Sequence, residues 1–186
     1  MPASLEDKAR EAVAGAPDSP QAHMKLGMVL MRKGSVKEAR KELEHALELD
    51  PGYVEAWVNL GGLLMTTWDF KGCIEANRKA AECDPRCMQA YYNKGLGHMY
   101  RGDAEEMVAC FRKVLELDPR NPGGHYHLAV AQLASGKTEE ARASLAVAMR
   151  LGYAPQPEFV RAIERSSKAG VQVMEFDPES KDGSTQ

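Results

Sequence analysis

The sequence has little of what marks a nucleic-acid-binding or membrane protein. Its 24 Lys and Arg are fewer than its 27 Asp and Glu, the net charge is −3, and the basic residues form no stripe. Because proteins that bind nucleic acid or an anionic membrane usually carry a basic patch, we expect neither partner. Nowhere do about 20 apolar residues run together, as a membrane-spanning helix requires.

Signatures of catalysis and secretion are missing as well. The sequence has no GxSxG, HExxH, Walker or dinucleotide-binding motif, and these motifs identify many enzymes. We therefore expect no enzymatic activity, no metal and no other cofactor. The first residues, MPASLEDKAREAVAGAP, have neither the basic start nor the apolar run of a signal peptide. Together with four irregularly spaced cysteines, this predicts a cytoplasmic protein with free thiols.

The dominant feature of the sequence is a 34-residue pattern that occurs four times. Within each copy, apolar residues recur three and four positions apart over two runs of about 13 residues, a spacing that places them on one face of a helix. Each copy is therefore predicted to be a hairpin of two helices. The columns that align are Pro51, Pro85 and Pro119; Gly27, Gly61, Gly95 and Ala129; His23, Trp57, Tyr91 and His125; and Leu26, Leu60, Lys94 and Leu128.

Glycine marks the predicted turn inside three of the four hairpins. Gly34, Gly102 and Gly136 occupy this position, where a residue that adopts positive φ without strain ends the first helix. The second copy has Trp68 instead. We expect its ring to pack over the next hairpin; the alternative is an exposed contact for a partner.

These residues make the chain resemble a tetratricopeptide repeat (TPR) protein, from Pro20 to about Pro155. The resemblance implies an all-α, right-handed solenoid of helical hairpins with N- and C-terminal capping helices. Lys94 and Asn77 replace apolar residues of the pattern, and we expect looser packing around both. The predicted units are a capping helix in 1–19, repeats at 20–53, 54–87, 88–121 and 122–155, a capping helix in 156–170 that ends at Gly170, and a flexible tail in 171–186.

In TPR proteins the first helix of each hairpin lines a concave groove, so the resemblance implies a binding site there. Asn59 and Asn93 stand one repeat apart, and an amide can donate to and accept from an extended peptide backbone. Asn at this place holds the ligand backbone in related TPR proteins. The alternative is a solvated Asn or one bonded within its own repeat. The predicted peptide-binding residues are Met24, Met28, Asn59, Met65, Tyr92, Asn93, Tyr126 and His127.

The methionines and tyrosines of this set have competing interpretations. Methionine side chains can repack around different apolar anchors, but half of those in the groove columns could belong to the core between helices. Tyr92 and Tyr126 are predicted to contact a partner, because Tyr91 and His125 are expected to fill the core column. The TPR clamp that binds the acidic tail of heat-shock chaperones matches only at Asn59, so we do not expect that ligand.

The pairs of cysteines and histidines in the sequence are weak evidence for a disulfide or a metal site. Cys83 and Cys87 could form a disulfide or share a metal, yet Cys83 aligns with leucines and Cys73 with alanines, so both are interpreted as buried apolar residues. His125 and His127 are two apart on a helix and point about 200° away from each other, which prevents chelation of one ion.

The sequence thus predicts a non-catalytic adaptor that binds a peptide or helix of a partner protein in the groove. A structural element that assembles by self-association is the alternative, and a thiol-redox factor centred on Cys83 and Cys87 is a third. The apolar start of the tail could also occupy the groove.

Overall fold

The computed structural model describes residues 3–172, with side chains described to residue 166. Over this range the chain forms ten α-helices and no strand. The helices are α1 (Leu5–Gly15), α2 (Pro20–Arg32), α3 (Val36–Leu49), α4 (Val54–Thr66), α5 (Phe70–Cys83), α6 (Met88–Arg101), α7 (Ala104–Leu117), α8 (Pro122–Ala134), α9 (Thr138–Arg150) and α10 (Pro157–Gln172).

The last helix differs from its predicted extent. α10 continues through Gly170 to Gln172, because a glycine inside a helix costs only about 1 kcal/mol and does not by itself end it. The capping helix therefore extends two residues beyond its predicted end, and residues 173–186, where the rest of the predicted tail falls, lie outside the described part of the chain.

Helix starts are encoded by local side chains. At α1, Ser4 Oγ accepts from the Asp7 N–H at 3.1 Å while the Asp7 carboxylate accepts from the Ser4 N–H at 2.9 Å, which forms a capping box. Asp69 and Asn121 likewise accept, each at 2.8 Å, from backbone N–H groups in the first turns of α5 and α8. These bonds satisfy donors that would otherwise have no partner in the helix.

Every turn inside a hairpin has a residue in the left-handed region. Gly34, Gly102 and Gly136 have φ of 79°, 77° and 74°, as their column predicted. Trp68 takes the same conformation, with φ of 64°. A bulky side chain is strained there, so this turn costs more than its three equivalents.

Glycines in the middle of the first helices allow the two helices of a hairpin to pack closely. A Cβ atom at Gly27 would lie 2.9 Å from Leu43 Cγ, and one at Gly95 would lie 2.8 Å from Phe111 Cζ. A Cβ atom at Gly61 would overlap the Asn77 amide. The expectation of loose packing around Asn77 is therefore wrong: this side chain is fully buried, and its Nδ2 donates to the Cys73 carbonyl at 2.9 Å.

The first helices of the first three hairpins lie side by side. α4 contacts both α2 and α6, whereas α3 and α5, and likewise α5 and α7, have at most minor contact in the described chain. Because the inner elements of a curved stack come closer together than the outer ones, we infer that α2, α4 and α6 form the inner wall.

The terminal helices cover both ends of the stack. Ala9 and Val13 of α1 pack against the core of the first hairpin, and Glu6 pairs with Lys33 at the end of α2. At the other end, Ile163 of α10 is buried against α9. The chain is an all-α solenoid. In the part of the chain that the structure describes, no helix is both long and apolar enough to cross a membrane.

Candidate functional site

A pocket of about 360 Å³ opens between α4 and α6. Val54 and Val58 contribute its apolar surface, and Asn59 contributes an amide. The residues that line it are Val54, Glu55, Val58, Asn59, Asp84, Cys87 and Gln89. The lining includes Asn59, one of the residues that the sequence predicts to bind a peptide.

Asn59 is held by its own helix and still borders this pocket. Its Nδ2 donates to the Glu55 carbonyl at 2.8 Å and lies 3.6 Å from Met24 Sδ. The side chain is half-buried. Among the described residues no partner is found for Asn59 Oδ1, so this acceptor can receive a hydrogen bond from a guest.

Asn93 is oriented in a similar way. Its Oδ1 accepts a hydrogen bond from Gln89 Nε2 at 2.7 Å, a pair four residues apart on one helix face. Gln89 also lines the pocket beside Asn59, although the sequence did not single it out as a site residue. Gln89 thus borders the pocket together with Asn59 and is bonded to Asn93 one turn further along α6.

The methionines belong more to the core than to a ligand surface. Met24 is only 9 % exposed and packs in the core cluster, which contradicts its predicted role as a ligand contact. Its sulfur lies between α2 and α4 against Asn59, so the neighbouring helix covers it. Met28 and Met65 are half-buried against the same cluster and retain some surface.

Tyr92 and His127 form part of an aromatic cluster around the buried Phe111. The Tyr92 ring meets Phe111 edge to face at 5.6 Å, and His127 stacks on Phe111 at 5.1 Å. Burial lowers the pKa of His127 to about 4, and its Nδ1 has no hydrogen-bond partner among the described residues. His127 is therefore a neutral ring at physiological pH, and only part of its surface can contact a guest.

Tyr126 is partly covered by the end of the chain. Its ring stacks on Tyr153 at 4.4 Å and meets Phe159 of α10 edge to face at 5.4 Å. The sequence predicted a contact for a partner, but this ring also holds α10 in place. The half-buried side chain leaves less surface for a ligand than expected.

The aligned residues His23, Trp57, Tyr91 and His125 were expected to fill the core. Three of them also bring a ring nitrogen to a backbone carbonyl of the preceding turn. His23 Nε2 lies 2.8 Å from the Pro17 carbonyl, Trp57 Nε1 donates to the Pro51 carbonyl at 2.8 Å, and His125 Nε2 lies 3.0 Å from the Pro119 carbonyl. Tyr91 is half-buried and packs against the core around Phe111, as predicted, and His125 is also half-buried. In each of these three cases the ring belongs to the residue six positions after the proline whose carbonyl it meets. This spacing was visible in the sequence.

The four cysteines are free, and they divide into two classes. Cys73 and Cys110 are buried, and burial raises the pKa of the Cys73 thiol to about 11. Cys83 is exposed, so its interpretation as a buried apolar residue is wrong. It is the last residue of α5, where the neighbouring helix no longer covers the side chain.

Trp68, Phe70 and Tyr100 form an exposed aromatic patch. Trp68 meets Phe70 and Tyr100 edge to face at 5.8 and 6.2 Å, and Phe70 stacks on Tyr100 at 4.7 Å. The Trp68 ring thus contacts the next hairpin, as predicted, yet it remains 74 % exposed. Tyr100 is 55 % exposed.

Models of the tetratricopeptide repeat match residues 20–63, 89–121 and 110–143. These spans together cover more than half of the sequence, and the chain belongs to the TPR family. A search of curated proteins gives no match.

Solved structures of MamA have the same fold. One MamA crystal structure superposes with a TM-score of 0.72 at 20 % identity, covering 82 % of this chain and 87 % of that one. Another gives 0.71 at 19 % identity, covering 90 % and 99 %. MamA 41-end from Desulfovibrio magneticus RS-1 gives 0.72 at 20 % identity, covering 78 % and 82 %. At these identities the likeness shows the fold alone.

Proposed function

We propose that this protein is a non-catalytic adaptor that binds an extended segment or helix of a partner protein in the groove formed by α2, α4, α6 and α8. A TPR solenoid is a protein-interaction or scaffold module. The observation that carries the finer proposal is the pocket between α4 and α6, which Asn59 borders with an unused acceptor. Free thiols, one of them exposed, favour a reducing compartment, so we propose the cytoplasm.

The two asparagines are suited to hold a peptide backbone. Asn59 would accept from a backbone N–H of the guest, and Asn93 would donate through its Nδ2. The bonds to the Glu55 carbonyl and to Gln89 already orient both amides, so binding loses less side-chain entropy.

The charges at the pocket favour a basic side chain in the guest. Glu55 and Asp84 are the charged residues of its lining, and no Lys, Arg or His lines it among the described residues. An acidic tail would be repelled. A Lys or Arg of the partner could lay its aliphatic stem on Val54 and Val58 and place its charge near the two carboxylates.

The test is the double variant Asn59→Ala, Asn93→Ala. A partner is first captured from the native cell, and its binding segment is then titrated by calorimetry. Loss of two hydrogen bonds should cost about 1–3 kcal/mol of binding free energy. The control is Gln156→Ala, an exposed amide in the loop before α10. Unchanged affinity in the double variant, with both variants folded by circular dichroism, would remove the proposal.

A second candidate function is assembly by self-association, which the aromatic patch favours. Exposed Trp and Tyr side chains are typical of the centre of protein interfaces, and Trp68 remains exposed although its backbone is strained. Light scattering across a concentration series measures this directly. A mass that rises with concentration in the wild type and not in Trp68→Gly supports assembly, and a constant monomer mass excludes it.

A further inference from the structure

Lys94 interrupts a column that the other three hairpins fill with buried leucine. Leu26, Leu60 and Leu128 are 2 %, 6 % and 8 % exposed. Lys94 is half-buried, and no carboxylate lies within 4.0 Å of its ammonium group among the residues whose side chains are described. The fold thus places a cation where apolar packing would be more stable, without an ion pair to offset the change.

The Lys94 side chain lines a pocket of about 260 Å³ between α6 and α7. The wall also contains Tyr91, His98, Lys113 and one carboxylate, Glu106. Lys113 donates to Glu116 at 2.8 Å, and His98 Nδ1 lies 3.0 Å from Asp103. Among the described lining residues, Lys94 is therefore the cation without an ion pair, and Glu106 is the carboxylate without one.

This pocket is separate from the groove. With about 100° between successive residues of a helix, Tyr91, Lys94 and His98 share one face of α6. Asn93 and Gln89 lie on the opposite face, which forms the inner wall. A ligand in the Lys94 pocket could therefore bind at the same time as a guest in the groove.

We propose that the Lys94 pocket binds a carboxylate group, with Lys94 as its ion-pair partner and Lys113 and the Tyr91 hydroxyl as further donors. The wall carries no net charge, because Glu116 neutralises Lys113 and Glu106 offsets Lys94. This suits one negative charge better than a phosphate dianion. The pocket is smaller than the roughly 300–1,000 Å³ of common small-molecule sites, so the ligand is a short monocarboxylic acid or an Asp or Glu side chain of a partner.

The experiment is an NMR titration of the ¹⁵N-labelled full chain with two probes. One is propionate, and the other is the blocked peptide Gly-Gly-Glu-Gly-Gly. Sodium chloride at matched ionic strength and the Gln counterpart of the peptide are the controls. Saturable shifts at the amides of Lys94, Cys110 and Lys113 are expected with one probe, and the probe that saturates identifies the source of the carboxylate.

Variants separate a binding role from a structural one. Lys94→Leu should weaken binding at least about tenfold by removing the charge-assisted bond, and should raise Tm because it restores the repeat residue. Lys94→Arg should retain binding, and Lys79→Leu, with the same change in net charge on α5, should leave it unchanged. Lys94→Gln repeats the comparison if the leucine variant aggregates. Shifts that chloride or the Gln peptide reproduce, or that persist without the Lys94 charge, overturn the proposal.

Discussion

Replacement of His127 by phenylalanine tests how the aromatic end of the groove is built. The imidazole lies against Phe111, Tyr92 and Tyr126, with centroid distances of 5.1, 5.5 and 5.1 Å. Burial lowers its pKa from 6.5 to about 4, because the charged form loses its hydration there. Phenylalanine keeps a ring in the cluster and removes the titrating group.

The sign of the pH effect follows from proton uptake. Between about pH 6.5 and pH 4, the unfolded chain binds a proton at His127 that the folded chain does not bind, so the free energy of unfolding decreases as the pH falls through this window. The full shift corresponds to roughly 3 kcal/mol. At about pH 4.5 the wild type should have lost about 2–3 kcal/mol through this residue alone, and the variant should lose none of it.

Urea denaturation followed by circular dichroism near pH 7 and near pH 4.5 measures the effect. The quantity compared is the change in free energy of unfolding between the two pH values, in which carboxylates common to both proteins cancel. Near pH 7 the variant should be the more stable protein by about 1 kcal/mol, because the unpaired Nδ1 is removed. Tyr126→Phe, in the same cluster, should behave as the wild type does with pH. An equal change in wild type and His127→Phe would refute the argument.

Three further predictions concern turns, packing and capping. Trp68→Gly should be more stable than Trp68→Ala by about 1 kcal/mol in thermal or urea unfolding, since only glycine accepts the positive φ; equal stability would show that the turn is not strained. Gly61→Ala should lose about 1–3 kcal/mol because its Cβ meets the Asn77 amide, and this loss should shrink in an Asn77→Ala background; additive losses would contradict the contact. Ser4→Ala should lose about 1 kcal/mol of local stability in α1, read as faster amide exchange there and not in α5.

Much of the fold could be predicted because helical hairpins depend on neighbours in sequence. The spacing of apolar residues predicted the order of the ten helices. Gly34, Gly102 and Gly136 predicted the turns, because glycine adopts positive φ without strain. The end of α10 was missed because Gly170 lies inside a helix, where a glycine costs little when the flanking residues favour helix.

From the sequence, the candidate site could be predicted only as a set of aligned positions in the four repeats. Asn59 borders the pocket, and so does Gln89, whose bond to Asn93 no column revealed. Whether a groove residue faces a guest depends on which neighbouring helix reaches it. The sequence period describes one helix at a time and does not contain this information.

By itself, then, the sequence determined the repeat and the two helices of each unit, because these follow from periodicity and from local backbone preferences. Only the tertiary structure decided how much of each side chain stays accessible. It buried Met24 against α4, covered Tyr126 with Tyr153 and Phe159, and left Cys83 and Trp68 exposed. The reason is that burial is a property of two packed elements, and their approach is set by contacts far apart in the chain.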